Sequence, residues 1–481
     1  MINKFGLKKE IINKININNQ VISITFVGSF LSKKKYSDID VVVIIQNLDE
    51  LIFKKINKNL KTINPRKYGI KKKLLVNNTF GPLKYDYESN LVIHLMIYSK
   101  KDHINHVISS PFTCYDWQRY NSSLGLNLKN IYRVYGLSCD DFIGNYRGID
   151  NYIYSLRNHF IYYKKYCFKK NQPIFIQKKI ILKSKNQIDE FIYHIIFHIS
   201  RNVLKFLSNT NKDFFKRDIL NLFQVLFSKK EYQELRNLFL QLQSSKYGNK
   251  SKKQIINSEE LAILFLRKIK NFLYIISKYN KKITFKRHFK TKFSNKIFLG
   301  NKLDVGIKKK NYQINHKFDL AFSSNLKRAK QTALLFSKNL KTNKYLNEID
   351  YGDVEGFNYE KLKDRYPKII HDWTNGKDPK FPRGENIALV YKRVQKFLKL
   401  LKSVSRNQEN KNKILIVSHN VFLRTLMSFF FKIKRRDIYK INIKYSEELN
   451  FLFYKNKIIP NIKNKNLNRI FKKLHESSIN T

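Results

Sequence analysis

Cysteine is nearly absent from this 481-residue chain: only Cys114, Cys139 and Cys167 occur, with no paired spacing. That argues against a disulfide framework or a zinc site and fits a reducing compartment. Acidic residues are scarce too, since 36 Asp+Glu face 95 Lys+Arg for a formal net charge of +59. Such an excess fits an electrostatic footprint for nucleic acid or another polyanion. It fits equally an A+T-rich coding sequence, which favours Lys, Asn, Ile, Phe and Tyr, because the cations are spread along the whole chain. Either way a basic surface draws in phosphorylated substrates. No run approaches the roughly 18 apolar residues of a membrane span, and the opening MINKFGLKKEIINKI has no apolar signal core. A soluble, cytoplasmic protein with no membrane partner is expected. No internal repeat is visible. With 42% hydrophobic residues in a chain of this length, two or three proper cores are expected.

The apolar residues that are present come in short, patterned runs. Residues 7–17 read as a basic amphipathic helix, and Val21–Val27 (VISITFV) as a buried strand. Gly28 and Ser29 follow, and after a basic loop comes Asp38–Ile45 (DIDVVVII), a second strand. Asp38 and Asp40 are two apart on it and share a face. Side-by-side carboxylates repel unless a cation lies between them, which favours Mg²⁺. The Gly28-Ser29 turn offers backbone N–H groups and a hydroxyl to phosphates.

Gly-Ser, a gap, then Asp-x-Asp on a strand resembles the nucleotidyltransferase superfamily that includes DNA polymerase β-like and kanamycin-type enzymes. The resemblance implies an α+β domain over 1–150, with a nucleoside triphosphate at Gly28 and Ser29 and Mg²⁺ on Asp38 and Asp40. Pyrophosphate would leave in an in-line displacement. That family usually adds a third carboxylate on a later strand, and the matching run, Asn90–Tyr98, has His94 there. His94 would act as base for an acceptor hydroxyl, mark a site that has lost its chemistry, or be a packed core residue. Asp86 or Glu88 would then supply the carboxylate from a neighbouring loop.

Over 151–280 the pattern is helical, with apolar residues at i, i+3 and i+4 in Ile188–Leu207, Lys212–Phe227, Lys230–Leu242 and Ser258–Tyr279. This helical middle region is expected to complete an acceptor site or to serve as a spacer or dimerisation bundle. His194 and His198 share one helix face but lack a third ligand, so packing is the plainer reading.

From 281 onward, strand-like runs end in chemistry-bearing residues. Thr284–Arg287 leads to His288, and Ile414–Ser418 leads to His419. Between them lie Ser323-Ser324-Asn325-Leu326-Lys327-Arg328 and Leu346-Asn347-Glu348. Two histidines, two arginines and a glutamate at strand ends can build a phosphoryl pocket. Guanidiniums clamp its oxygens, a neutral imidazole attacks phosphorus and a protonated carboxyl supplies the leaving oxygen with a proton.

In this order the pieces resemble the histidine phosphatase (phosphoglycerate mutase-like) superfamily, whose motifs are Arg-His-Gly-x-Thr, Ser-x-Leu-x-Arg-x-x-x-Thr-Ala and a strand ending Ser-His. Asp353-Val354-Glu355-Gly356 and Pro382-Arg383-Gly384-Glu385-Asn386 also match family motifs. The resemblance covers roughly 281–462 and implies a three-layer α/β domain within 281–481 that needs no cofactor. His288 would be the phosphorylated nucleophile and Glu348 the proton donor. Arg287, Arg328 and His419 would bind phosphate with Thr291 and Ser294, while Ser418 and Asn420 position His419 and the phosphate. Phe289 departs from the pattern, standing where the family has Gly, and is expected to narrow the pocket or displace the backbone. The short span from Glu348 to Pro382 favours a phosphatase over a mutase.

The expectation is thus a multidomain, bifunctional enzyme that transfers a nucleotidyl group and hydrolyses a phosphorylated small molecule. The alternatives are a histidine phosphatase with a non-catalytic nucleotide-binding module, or a protein that modifies RNA ends.

Overall fold

A computed structural model describes residues 3–17, 19–30, 38–80, 90–143, 148–246, 257–278, 281–308, 312–313, 315–407 and 412–477. Asp86 and Glu88 lie outside them. The chain divides into two compact units, one of residues 1–206 and 210–272, the other of 207–209 and 273–481. Among the described residues no helix is long and apolar enough to cross a membrane.

The first unit is built on a five-stranded sheet. Its strands are β1 (Val21–Val27), β2 (Asp38–Ile45), β3 (Lys73–Asn77), β4 (Asn90–Ser99) and β5 (Leu124–Gly125), in the order β3-β4-β2-β1-β5. β1 runs antiparallel to β2, while β2 and β3 run parallel to β4. β2 and β4 are almost wholly apolar beyond their first residues, as expected for central strands covered on both faces. The helix Glu50–Lys61 buries Ile52, Ile56 and Leu60, one per turn, and Asp49 caps it by accepting from the Ile52 N–H at 2.7 Å.

The middle stretch is not helical throughout. Phe160–Lys169 (β6) and Gln172–Ile181 (β7) form an antiparallel hairpin. Lys170 and Asn171 both have positive φ, +49° and +61°, which a two-residue loop needs to match the twist of its strands. Tyr166 and Phe175 stack across the ladder with centroids 4.2 Å apart, and both pack on Phe80. Cross-strand aromatic pairing therefore overrides any helical pattern here. Helices Lys185–Ser208, Lys216–Leu226, Lys229–Lys246 and Ser258–Lys278 follow. Asp116, on the helix Pro111–Trp117, binds Lys205 at 2.6 Å and Arg201 at 3.3 Å. Burial would raise its carboxyl, but Lys205, Arg201 and Arg119 together hold it well below the usual carboxylate range. His194 and His198 lie ring to ring, 4.3 Å between centroids. No group of three or more His, Cys, Asp or Glu able to hold a metal occurs among the described residues.

The second unit holds a six-stranded sheet of β8 (Lys282–Arg287), β9 (Leu320–Ser323), β10 (Leu340–Thr342), β11 (Lys413–Ser418), β12 (Glu448–Tyr454) and β13 (Lys457–Pro460). Its order is β10-β9-β11-β8-β12-β13. The first four are parallel, and β12 and β13 add an antiparallel edge. The helix bearing Arg328 runs Lys327–Leu334. Beyond it the Asn339 carbonyl accepts from the Ala321 N–H at 2.8 Å, so the chain is drawn into the sheet as β10. Phe285 of β8 is fully buried against Phe451 of β12, centroids 5.3 Å apart. Phe285→Ala is expected to destabilise the protein by about 3–5 kcal/mol, read as a lower urea midpoint. An unchanged midpoint would show that this contact is not part of the core.

Candidate active site

β8 and β11 pair in parallel with Arg287 opposite Ser418, so the residue after each strand emerges at the same carboxyl end. Those residues are His288 and His419. The His288 N–H donates to the Ser418 carbonyl at 3.1 Å, and the two rings lie 5.0 Å apart. On the other flank of β11, β9 delivers Ser324, whose N–H donates to the Val417 carbonyl at 3.2 Å. Glu348 arrives from the turn after β10, held there by Ser418 Oγ donating to the Leu346 carbonyl at 2.7 Å. Arg393 also donates to the Tyr345 and Asn347 carbonyls at 2.9 Å and is ion-paired with Glu385 at 2.8 Å. The Glu385 motif thus works as a brace for the Glu348 loop.

The hydrogen bonds fix both imidazole tautomers. His288 Nδ1 lies 2.6 Å from the Phe289 carbonyl, which can only accept, so Nδ1 carries the proton and Nε2 keeps its lone pair. Arg328 Nε can only donate, and it meets His419 Nδ1 at 3.3 Å. His419 Nε2–H therefore donates to Ser324 Oγ at 2.6 Å. Burial, with Arg328 and Arg287 beside it, pushes His288 well below the ordinary imidazole value, against the Phe289 carbonyl. Burial likewise lowers His419, reinforced by Arg328 and His288. Both rings are held neutral.

The guanidiniums are braced by backbone. Arg328 is fully buried and donates to the Gly300 carbonyl at 2.6 Å and the Leu303 carbonyl at 3.2 Å. Arg287 donates to the Ile443 carbonyl at 2.6 Å and lies 3.7 Å over the Tyr445 ring. Its Nε is shielded from solvent and has no hydrogen-bond partner among the described residues. Glu348 Oε1 accepts from the N–H groups of Val421, Ile349 and Phe422 at 3.0, 3.1 and 3.4 Å. Two of these open the helix Asn420–Phe431, whose N-terminus favours negative charge. Burial nonetheless outweighs Arg328 and the Ile349 N–H, and raises the Glu348 carboxyl. Among the described residues Oε2 accepts only from the Val421 N–H, at 3.3 Å, which makes it the oxygen more open to carry a proton.

Phe289 stands in an ordinary backbone conformation and turns its ring to other partners than His288 does. Its ring packs on Tyr312, 4.3 Å between centroids, and on Phe336 and Lys286, while His288 faces His419 and Tyr445. Its φ is not in the left-handed region, so glycine is not required. Its N–H donates to Thr332 Oγ1 at 3.1 Å. Thr291 and Ser294 are brought together in the following turn, where Ser294 Oγ accepts from the Thr291 N–H at 2.8 Å. Their hydroxyls lie 3.3 Å apart, and no bond to His288 is seen among the described residues. The sequence reading missed Ser324, Arg393 and Tyr445 as parts of the site. Only Ser324 stood within a motif, and Tyr445 carries no local signal.

In the first unit, Asp40 of β2 lies opposite His94 of β4. His94 Nδ1 meets Asp40 Oδ1 at 3.0 Å, and its Nε2 meets the Thr79 carbonyl at 2.5 Å. Both ring nitrogens are thereby engaged, so neither is open to an acceptor hydroxyl. Gly28 has φ +78°, and a Cβ there would stand 2.6 Å from Asp40 Oδ2, so the turn closes tightly on the carboxylate. Ser29 continues that turn. Asp38 and Asp40 are hard oxygen donors on one face of β2, the donor type that Mg²⁺ takes, and the side chain beside Asp40 is the His94 imidazole.

Comparison with known proteins concerns the second unit. A 187-residue stretch is 31% identical to the 2,3-bisphosphoglycerate-dependent phosphoglycerate mutase of Buchnera aphidicola subsp. Cinara cedri, covering 32% of this chain and 78% of that one. The model of the histidine phosphatase superfamily (branch 1) matches residues 310–459. The chain belongs to that superfamily. A mutase of the same name from Methylorubrum populi is 31% identical over 119 residues, 23% of this chain and 55% of its own length. The chain thus spans about half the length of this curated relative. The histidine phosphatase model begins downstream of Arg287 and His288, so it is the β8–β11 pairing that joins those two residues to the matched region. Among solved structures, a putative α-ribazole-5′-P phosphatase from Escherichia coli shares 19% identity at TM-score 0.33, over 38% of this chain and 97% of that one.

Ser324→Ala would leave the buried His419 Nε2–H without an acceptor. A loss of about 1–3 kcal/mol in stability is expected. Unchanged urea unfolding would overturn the tautomer assigned to His419.

Proposed function

We propose that the second unit hydrolyses phosphate monoesters through a phosphohistidine on His288. The observation that carries the reading is the bare Nε2 of His288, its Nδ1–H tied to the Phe289 carbonyl, beside two braced guanidiniums. Nε2 attacks phosphorus while Glu348 gives its proton to the departing ester oxygen, so a P–N bond forms as the P–O bond breaks. Water then attacks the phosphohistidine, Glu348 takes back a proton, and the electron pair of the P–N bond returns to Nε2. Arg287 and Arg328 stabilise the charge spread over the non-bridging oxygens. The span from Glu348 to Pro382 holds a 3-10 turn, Gly352–Val354, and two short α-helices, Tyr359–Arg365 and Pro367–Thr374, and its shortness favours hydrolysis over mutase chemistry.

His288→Ala is expected to abolish the acid-labile phosphoenzyme, and its persistence would refute His288 as nucleophile. The reactive form has His288 neutral and Glu348 protonated. Because burial lowers His288 from 6.5 and raises Glu348 from 4.5, kcat/KM should rise with pH along an acid limb below 6.5 and fall along an alkaline limb above 4.5. Glu348→Gln should slow turnover about 10²–10⁴-fold and remove the alkaline limb. A retained limb would assign it to another group.

For the first unit we propose a nucleoside triphosphate site at Gly28 and Ser29, with Asp38 and Asp40 holding Mg²⁺. The ion would offset the paired carboxylates and bring phosphate oxygens to them. The resemblance favours nucleotidyl transfer, whereas the engaged nitrogens of His94 favour binding without transfer. Calorimetric titration with each Mg²⁺-nucleoside triphosphate should show binding that Asp38→Ala and Asp40→Ala remove. Pyrophosphate release with a new labelled product would select transfer, and binding without release the regulatory module. No binding of any of the four would overturn both.

A further inference from the structure

Arg287 is seated by one loop, residues 442–447, which leads into β12. Its guanidinium donates to the Ile443 carbonyl at 2.6 Å and lies 3.7 Å over the Tyr445 ring. Its main chain is held by the same loop. The Arg287 N–H donates to the Glu447 carbonyl at 3.1 Å, and its carbonyl accepts from the Ser446 N–H at 3.1 Å. Ser446 has φ +59°, in the left-handed region that costs a non-glycine residue about 1–3 kcal/mol. Such a backbone persists only where its surroundings hold it.

Much of that hold comes from residues beyond β13. The helix Asn464–Ile470 buries Leu467 and Ile470, and Phe471 behind it packs on Phe431 with centroids 5.5 Å apart. Thus anchored, the helix meets the loop at both ends. At the start, the Asn442 N–H donates to the Ile470 carbonyl at 2.8 Å. At the end, the Arg469 guanidinium pairs with the Glu447 carboxylate, which also accepts from the Lys444 N–H at 2.8 Å. Lys286 steadies only the apex, donating to the Ser446 carbonyl at 2.9 Å. The Glu447 side chain is 12% exposed, so water screens the pair little. Without Arg469 the carboxylate would keep only the Lys444 N–H among the described residues, at a cost in free energy.

We propose that Arg469 is a positioning residue for the phosphatase reaction. Through Glu447 it holds the 442–447 loop in the form that seats Arg287, and so sets the affinity for the phosphoryl group. The proposal rests on the phosphatase reading. A determinant of phosphate binding thus lies downstream of residues 310–459, which the superfamily model matches.

The test uses the full chain, with p-nitrophenyl phosphate as substrate and inorganic phosphate as competitive inhibitor. Arg469→Gln is expected to lower kcat/KM and to weaken phosphate inhibition, each by about 10-fold, the lower end of what a charged hydrogen bond contributes. Arg469→Lys, which keeps the charge, should recover part of both. A purely structural role would lower the urea midpoint and leave the folded protein's phosphate affinity unchanged, which would overturn the proposal. So would additivity with Arg287. Because Arg469 acts through that residue, Arg469→Gln should add little in an Arg287→Ala background, and a second loss of the same size would assign it another route. Should Arg469→Gln fail to fold by circular dichroism, Glu447→Gln is read in the same way, since it removes the ion pair and leaves the backbone carbonyl that Arg287 uses. A wild type that hydrolyses the ester, with variants unchanged in phosphate affinity, overturns the brace alone. A wild type that neither hydrolyses it nor forms a phosphoenzyme overturns the phosphatase reading, and the brace with it.

Discussion

The parallel pairing of β8 with β11, with Arg287 opposite Ser418, is the constraint on which the second unit's chemistry depends. Some 130 residues separate His288 from His419 in the chain, yet the register brings both out at one sheet edge. A one-residue slip would turn one of them to the opposite face. The register is held by buried apolar residues that leave little choice, Ile283 and Phe285 on one strand and Ile414 to Val417 on the other. Catalytic placement is therefore a consequence of core packing, since the same burial that fixes the strands also fixes the distance between the rings.

That placement sets the electrostatics. Arg287 and Arg328 stand beside two buried imidazoles and one buried carboxyl. Burial and the guanidiniums keep the imidazoles neutral, and burial keeps a proton on Glu348 longer than water would. The backbone completes the arrangement: the Phe289 carbonyl selects the His288 tautomer, and the N-terminus of the helix Asn420–Phe431 aims two N–H groups at Glu348.

The first unit shows how one neighbouring side chain changes the meaning of a motif. Gly28, in the turn after β1, lies against Asp40 of β2, and Asp38 stands two residues before it on the same strand. What stands beside Asp40 is an imidazole, whose nitrogens are taken by Asp40 and the Thr79 carbonyl. A carboxylate in that place would add negative charge for a cation, whereas His94 draws on the charge already there.

By itself the sequence determined the strand-end residues of the second unit, because motif spacing and apolar runs are local properties. His288, Arg328, Glu348 and His419 were legible for that reason, as were β1, β2 and the Asp38–Asp40 pair. The hairpin Phe160–Ile181 was not, since its aromatic stacking is cross-strand and its turn is an unassuming Lys-Asn. Only the tertiary structure decided where the Phe289 ring goes: into an aromatic patch with Tyr312 and Phe336. It also decided that Arg424 Nε, unremarkable in a lysine- and arginine-rich chain, is shielded from solvent with no hydrogen-bond partner among the described residues. Side-chain type and spacing are written locally, whereas burial and the identity of a neighbour depend on contacts between distant segments, and those two set what a charged group can do.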